Sequence, residues 1–145
     1  MDMIDKIYEL KHRKADISDE DNYSKSSVLI PLLKGRDGLS ILYEVRSENL
    51  KKQPNEICFP GGRIEDNESK EDAAVRETSE ELLIGQENIE VICPSDILVT
   101  PFNTIIYPYI GILKDYKATF NGEVKEVFTV PLSFFLSHDP LCSYI

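Results

Sequence analysis

Residues 61–83 read GGRIEDNESKEDAAVRETSEELL, and here the sequence changes from short apolar runs to a helical pattern. Two glycines open the stretch, but from Ser69 onward it contains neither glycine nor proline and is rich in helix-forming residues. Ser69 suits a helix N-cap, and Glu71 and Asp72 suit the first turn because acidic side chains interact favourably with the positive end of the helix dipole. We predict a loop that leads into an amphipathic helix over residues 69–83. Its core-facing candidates are Ala74, Val75, Thr78, Leu82 and Leu83.

Three glutamates of the predicted helix, Glu77, Glu80 and Glu81, stand at positions i, i+3 and i+4. At about 3.6 residues per turn they project from one stripe and repel one another. A bound divalent cation would turn this repulsion into attraction, and hard ions such as Mg²⁺ or Mn²⁺ prefer oxygen ligands. A solvated helix face, partly neutralised by Arg76 and Lys70, is the usual explanation of such a pattern. The choice between the two interpretations therefore depends on the residues upstream.

The upstream residues extend the acidic pattern into a longer motif. One glycine and five charged residues have the spacing G-x5-E-x7-R-E-x-x-E-E, which resembles the Nudix box: Gly62, Glu68, Arg76, Glu77, Glu80 and Glu81. The resemblance implies an α+β fold, a mixed β-sheet with flanking helices, in which a loop–helix–loop segment carries the catalytic residues. It implies that Arg76 orients the acids and that Mg²⁺ or Mn²⁺ is held by Glu77, Glu81, Glu80 and the Gly61 carbonyl.

Two positions depart from the Nudix box. Thr78 lies where an aliphatic residue is usual, and we expect this change to be mild. Leu83 occupies the position of the second glycine, and Gly85 follows only two residues later. Leu83 therefore predicts that the chain leaves the helix in a different way.

A second motif precedes the box. It resembles the pattern LLTxRSxxxRxxxGxxxFPGG of coenzyme A pyrophosphatases within the Nudix family, through Arg46, Ser47, Lys51 and the run Phe59 to Gly62. Lys51 replaces an arginine, Asn55 replaces a glycine, and LYE at 42–44 replaces LLT. The resemblance covers most of residues 26–136. It implies that Arg46, Ser47, Lys51 and Phe59 bind substrate, with Lys52 nearby. For the lysines, a solvated basic loop explains the sequence equally well.

The resemblance implies metal-dependent hydrolysis of the pyrophosphate bond of coenzyme A or its derivatives by water. The products would be 4′-phosphopantetheine species and adenosine 3′,5′-bisphosphate. Glu123 matches a downstream catalytic carboxylate of the family, and Glu126 is the alternative. Another nucleoside diphosphate derivative, such as ADP-ribose, is the alternative substrate. The alternative from another functional class is a binding module with the Nudix fold, which holds a nucleotide without cutting it. The intact Glu77, Glu80 and Glu81 argue against this alternative.

Length, charge and composition limit the classes of protein to which the chain can belong. A length of 145 residues suits one domain, and we expect residues 1–145 to form a single Nudix domain that is shorter at its C-terminal end than its relatives. A net charge of −10 without clustered Lys and Arg argues against a nucleic acid partner. No apolar run reaches membrane-spanning length and no secretory signal is evident, so we expect a cytoplasmic monomer or homodimer that acts on a small molecule. The three cysteines lack any CxxC pair, which predicts free, buried thiols.

The rest of the chain predicts a mixed α+β domain in which most strands surround the one strongly helical segment. An N-terminal amphipathic helix is expected over 3–14, followed by a polar loop over 15–27. Apolar, β-branched runs predict strands at 28–33, 39–45, 57–59, 89–93, 97–100 and 105–113. The run 124–136 is too apolar for a surface loop, but its pattern does not separate strand from helix.

Overall fold

The computed structural model describes residues 2–13 and 22–141. Within these ranges, the helices are α1 (Met3–Glu9), α2 (Lys70–Leu82) and α3 (Leu132–Ser137). The strands are β1 (Ser24–Gly35), β2 (Gly38–Arg46), β3 (Ile57–Cys58), β4 (Gly61–Arg63), β5 (Ile89–Pro94), β6 (Leu98–Val99), β7 (Thr104–Leu113) and β8 (Val124–Pro131). Short 3₁₀ turns follow α1 at Leu10–His12 and precede β5 at Gln86–Asn88.

The strands form one mixed sheet, which confirms the predicted fold class. Its central order is β3-β2-β1-β7-β5, with β4 paired to β1, β6 to β7 and β8 to β2. The long β1–β7 pair is parallel, from Ser24 opposite Thr104 to Leu32 opposite Ile112, and the other pairs are antiparallel. Because β4 pairs with β1 directly upstream of α2, the sheet fixes the start of the loop–helix–loop segment.

The helices cover both faces of the sheet. On the α2 side, the buried cluster consists of Leu29, Leu42, Leu82, Ile84, Ile89 and Leu113. On the other side, Ile4 and Ile7 of α1 pack on a second cluster, Leu32, Ile92, Cys93 and Ile112. Each cluster draws on strands and on a helix that are distant in sequence, so burial of apolar surface joins the helices to the sheet.

One predicted segment assignment needs correction, and one that the sequence left open is resolved. Residues 24–27 were expected in a loop but begin β1, because they pair with β7 and, at Ser26 and Ser27, also with β4. Tertiary pairing here overrides their polar composition. The ambiguous run 124–136 contains both elements, β8 and then α3. The N-terminal helix is confirmed up to the turn at Leu10–His12, and Lys14 lies outside the described residues.

The ends of α2 are defined by one confirmed cap and one unexpected residue. Ser69 is the N-cap, and its side chain accepts a hydrogen bond from the Asp72 amide. Leu83 is the C-cap, with φ 52° and ψ 45° in the left-handed region. The predicted change in helix exit is wrong, because Leu83 takes the conformation that glycine usually supplies. Leu83 is also 59% exposed, so it is not a core residue.

A glycine at position 83 is therefore expected to stabilise the protein. Left-handed backbone costs a residue with a β-carbon about 1 kcal/mol, and little packing is lost from an exposed leucine. We expect Leu83→Gly to raise the free energy of unfolding by about 1 kcal/mol in a urea titration. Glu71→Gly, at an exposed position with right-handed helical backbone, is the control and should lower it by a similar amount. A destabilised Leu83→Gly protein would contradict the assignment of strain to Leu83.

Two further expectations concern cysteines and membranes. Cys58 and Cys93 are free thiols, Cys93 buried and Cys58 half-buried, while Cys142 lies outside the described residues. Across residues 2–13 and 22–141, no helix has the length and apolar character needed to cross a membrane.

Candidate active site

The deepest acidic residue of the predicted motif is Glu81, near the C-terminal end of α2. Its side chain is buried, with the residue 3% exposed, and its Oε2 accepts a hydrogen bond from the Gly61 amide at 2.8 Å. Gly61 lies in β4 opposite Val28. A β-carbon on Gly61 would lie 2.3 Å from the Ser27 carbonyl oxygen, so the close approach of β4 to β1 requires glycine there. The sheet and the helix thus fix Glu81 together.

A second buried carboxylate lies beside Glu81 and was missed by the sequence analysis. Glu44 of β2 is 1% exposed, and its Oε2 has no hydrogen-bond partner. Its Oε1 accepts a hydrogen bond from the Cys58 thiol at 3.6 Å, across the β2–β3 pair. The signal in the sequence was strand alternation, since Glu44 shares the inward phase of Leu42.

The acidic side chains of this region perturb one another. Burial, followed by the Glu44 charge, raises the pKa of Glu81 above its usual value of 4.5. Burial also raises the pKa of Glu44, and a protonated Glu81 can donate a hydrogen bond to it. Burial raises the pKa of Glu77 against the opposing effect of Arg76. The Glu123 charge raises all three pKa values, so the folded chain brings Glu44, Glu77, Glu81 and Glu123 into one electrostatic cluster.

Arg76 binds the acids on the outer side of α2. Its Nε donates to Glu68 at 2.7 Å, and its Nη1 donates to Glu77 at 3.0 Å. The same Nη1 lies 3.5 Å from Glu80, and Nη2 donates to the Arg63 carbonyl at 3.2 Å. One guanidinium therefore joins the helix, the preceding loop and the end of β4, as expected for a residue that orients carboxylates.

Glu123 reaches the cluster because the loop before β8 closes on the end of α2. The Asn121 amide donates to the Glu81 carbonyl at 2.8 Å, and the Thr119 hydroxyl donates to the Leu82 carbonyl at 2.6 Å. These bonds satisfy carbonyls that a helix end leaves unpaired. Glu126, the alternative to Glu123, is exposed on β8 opposite Val45. The electrostatic contribution of Glu123 to three site carboxyls favours Glu123.

The predicted metal ligands are not assembled as a ready-made shell. In the described part of the chain, no three His, Cys, Asp or Glu side chains are grouped closely enough to hold a metal ion. The reason is that Arg76 holds Glu77 and Glu80 on one side while the Gly61 amide holds Glu81 on the other. Gly61 contributes its N–H to the site, and ligation by its carbonyl stays a prediction.

The donor set nevertheless fits a hard cation. All the acidic groups offer oxygen, two of them are buried, and the Oε2 atom of Glu44 is unpartnered. Buried carboxylates without a cationic partner are costly, and a divalent ion would relieve both repulsion and desolvation. Mg²⁺ commonly binds through only one or two carboxylates and completes its shell with water and substrate oxygens. A preformed three-carboxylate cage is therefore not required.

The predicted substrate residues occupy the loop end of β2. Arg46 lowers the pKa of Glu44, which places its charge near the carboxylates, and its Nε and Nη2 donate to the Lys52 carbonyl at 3.3 and 3.1 Å. Ser47 is buried, and its amide donates to the Glu123 carbonyl at 2.9 Å. Lys51 is exposed in the following loop. Substrate binding by Arg46, Ser47 and Lys51 stays a prediction.

Phe59 contacts a different set of side chains from the carboxylates. Its ring stacks on Tyr43 at 5.0 Å between centroids, and Tyr43 stacks on Phe128 at 5.5 Å. Tyr43 follows Leu42 and precedes Glu44 in β2, so it points to the opposite face of the strand from both. Through Tyr43, the Phe59 ring connects the loop after β3 to β2 and β8, while its role toward substrate stays a prediction.

Comparison with known proteins places this geometry in a family. The chain matches the NUDIX domain over residues 24–136. It is 37% identical over 130 residues to peroxisomal coenzyme A diphosphatase NUDT7 of Mus musculus, covering 86% of this chain and 55% of that protein. It is 33% identical over 135 residues to peroxisomal coenzyme A diphosphatase ndx-8 of Caenorhabditis elegans, covering 86% of this chain and 57% of that protein. The chain thus spans a little over half the length of these relatives.

Solved structures agree on the fold. The crystal structure of a C. elegans Ap4A hydrolase binary complex superposes with a TM-score of 0.63 at 20% identity, covering 74% of this chain and 80% of that chain. Such a low identity supports the fold alone. Together with the domain match and the two relatives, it shows that this chain belongs to the Nudix hydrolase family.

Proposed function

We propose that the protein hydrolyses the pyrophosphate bond of coenzyme A or its derivatives with the help of Mg²⁺ or Mn²⁺. The products would be 4′-phosphopantetheine species and adenosine 3′,5′-bisphosphate. The observation that carries the proposal is the carboxylate cluster around the C-terminal half of α2, where buried Glu81 is fixed by Gly61 and lies beside Glu44, Glu77 and Glu123. A purely structural helix would not need several crowded acids, two of them buried.

Each residue of the site would have its own role in the reaction. Glu81 and Glu77, with Glu80 as a further candidate, would hold the cation, which when bound would lower the pKa of water and neutralise charge on the phosphate oxygens. Arg76 would keep Glu77 and Glu80 oriented through the ion pairs described above. Glu123, which is exposed, would accept a proton from the attacking water. Arg46 would bind phosphate through its guanidinium.

Support for coenzyme A as the substrate comes from two sources. The relatives named above are called coenzyme A diphosphatases, and they match this chain over most of its length. Arg46 is a cation close to a site lined with acids, and a phosphorylated substrate needs such a counter-charge. The test is incubation with coenzyme A, ADP-ribose, NADH and nucleoside triphosphates in Mg²⁺ or Mn²⁺, with products separated by mass. Preferred cleavage of ADP-ribose, or binding without any cleavage, would overturn the proposal.

Arg46→Lys is expected to reduce coenzyme A hydrolysis about tenfold or more, because an ammonium cannot reproduce two parallel charge-assisted hydrogen bonds. Kinetics on coenzyme A and on its dephospho form, which lacks the 3′-phosphate, would measure the effect. A loss confined to coenzyme A assigns Arg46 to the 3′-phosphate, and equal losses assign it to the pyrophosphate.

Arg36→Lys is the matched control for this substitution. Arg36 is exposed in the turn between β1 and β2, at the opposite end of β2 from Arg46, and its replacement should leave both rates unchanged. Unchanged kinetics in Arg46→Lys would remove Arg46 from the substrate site, while leaving the Nudix chemistry of the carboxylates untouched.

A further inference from the structure

Glu44 departs from the motif that contains it, and it is among the most buried polar side chains described. It takes the place of the threonine in the coenzyme A pyrophosphatase pattern. The residue is 1% exposed and lies on β2, while Glu81 lies on α2, and the Glu44 charge is close enough to raise the pKa of Glu81. Two acids from different elements therefore meet at the same buried place. An arrangement of this kind is costly unless something positive joins them.

The contacts of Glu44 leave one oxygen available. Its Oε1 accepts a hydrogen bond from the Cys58 thiol at 3.6 Å, and Cys58 lies directly opposite Glu44 in the β2–β3 pair. Its Oε2 is buried and has no hydrogen-bond partner. The thiol therefore helps to fix the orientation of the carboxylate, and the second oxygen stays buried without a hydrogen-bond partner.

We propose that Glu44 is an additional metal ligand of this protein, which offers its Oε2 to the divalent cation that Glu81 also binds. This inference rests on the proposed function, since it concerns the same site. It explains the unpartnered oxygen, because a divalent cation would satisfy two neighbouring ionised carboxylates at once. It also explains how a site without a preformed cage gains a second buried ligand, here from the sheet rather than from the helix.

The test uses Mn²⁺ alone, with no substrate, and measures its affinity by calorimetry and by the loss of the free Mn²⁺ signal in electron paramagnetic resonance. Glu44→Gln keeps the shape of the side chain and removes its charge. We expect its Mn²⁺ affinity to fall about 10- to 100-fold. We also expect a smaller rise in melting temperature on adding Mn²⁺ than in the wild type. Glu9→Gln, exposed on α1, is the matched control and should bind Mn²⁺ like the wild type.

A second variant separates ligation from shape. Glu44→Thr introduces the residue of the coenzyme A pyrophosphatase pattern and should show the same loss of affinity as Glu44→Gln. Wild-type Mn²⁺ affinity in either folded variant would overturn the inference while leaving the proposed function standing. Absence of Mn²⁺ binding in the wild type would overturn both. Failure of both variants to fold would also contradict the inference, because removing one of two crowded charges should relieve repulsion in the metal-free protein.

Discussion

Replacing Glu81 by glutamine is expected to lower turnover by about 100-fold or more, because it removes the charge of the most buried acid of α2 while preserving its shape. The amide oxygen of glutamine can still accept the hydrogen bond that the Gly61 amide now donates to Oε2 at 2.8 Å. The fold should therefore survive. Steady-state kinetics with saturating Mg²⁺ or Mn²⁺ would measure the loss, and near wild-type turnover would refute the assigned role of Glu81.

The same substitution should stabilise the metal-free protein at alkaline pH. Burial raises the pKa of Glu81 above its usual value of 4.5, so the folded state keeps a proton that the unfolded state has released. The free energy of unfolding therefore falls as pH rises above 4.5, by about 1.4 kcal/mol per pH unit for one such group. The fall ends where the carboxyl of the folded protein itself ionises. Glutamine at position 81 removes this dependence.

Thermal unfolding in a chelator, at about pH 5 and about pH 9, would test this dependence on pH. The wild type should lose more stability than Glu81→Gln between the two conditions, and Glu9→Gln should behave like the wild type. Equal losses in all three proteins would show that Glu81 does not carry the effect. If Glu81 is a functional acid, its replacement should lower activity and raise the stability of the metal-free protein. If Glu81 were only structural, its replacement should lower both activity and stability.

The acids of α2 were predictable because spacing in sequence becomes spacing on one helix. Glu77, Glu80 and Glu81 share a stripe by helical geometry alone. Their partners were harder to predict, since they depend on contacts between distant elements. Glu44 lies on β2, where it pairs with both β3 and β8, and Glu123 follows the loop that caps the carbonyls at the end of α2. Strand alternation could have flagged Glu44 as inward-facing, but it gives no information on which helix residue lies opposite.

The missing glycine at position 83 led to a wrong prediction for a different reason. Leu83 and Asn55 both stand where the motifs have glycine, and both adopt the left-handed backbone, with φ 52° and 61°. At Leu83 this conformation follows two carbonyls, those of Glu81 and Leu82, that accept hydrogen bonds from Asn121 and Thr119. Asparagine tolerates left-handed backbone readily, whereas leucine does so at a cost. A residue type indicates how costly a conformation is, while the conformation itself is set by the whole fold.

The two glycines of β4 should separate the requirements of folding from those of activity. In Gly61→Ala the new β-carbon would lie 2.3 Å from the Ser27 carbonyl oxygen and 2.7 Å from the Val28 Cα. Backbone cannot move aside without breaking the β1–β4 pair. We expect a loss of about 3 kcal/mol or more in the free energy of unfolding, measured by urea titration. Wild-type stability would contradict this.

Gly62→Ala should instead keep the fold and lose activity. Its β-carbon would lie 2.6 Å from Glu77 Cδ and Oε1, atoms at the flexible end of a side chain that can rotate away. That rotation would break the 3.0 Å contact of Glu77 with Arg76 and remove a predicted ligand, so we expect turnover to fall about tenfold or more. Gly122→Ala, next to Glu123 but with open space around the new β-carbon, is the control and should change neither stability nor turnover. Full activity in Gly62→Ala would mean that the position of Glu77 is not needed for the chemistry.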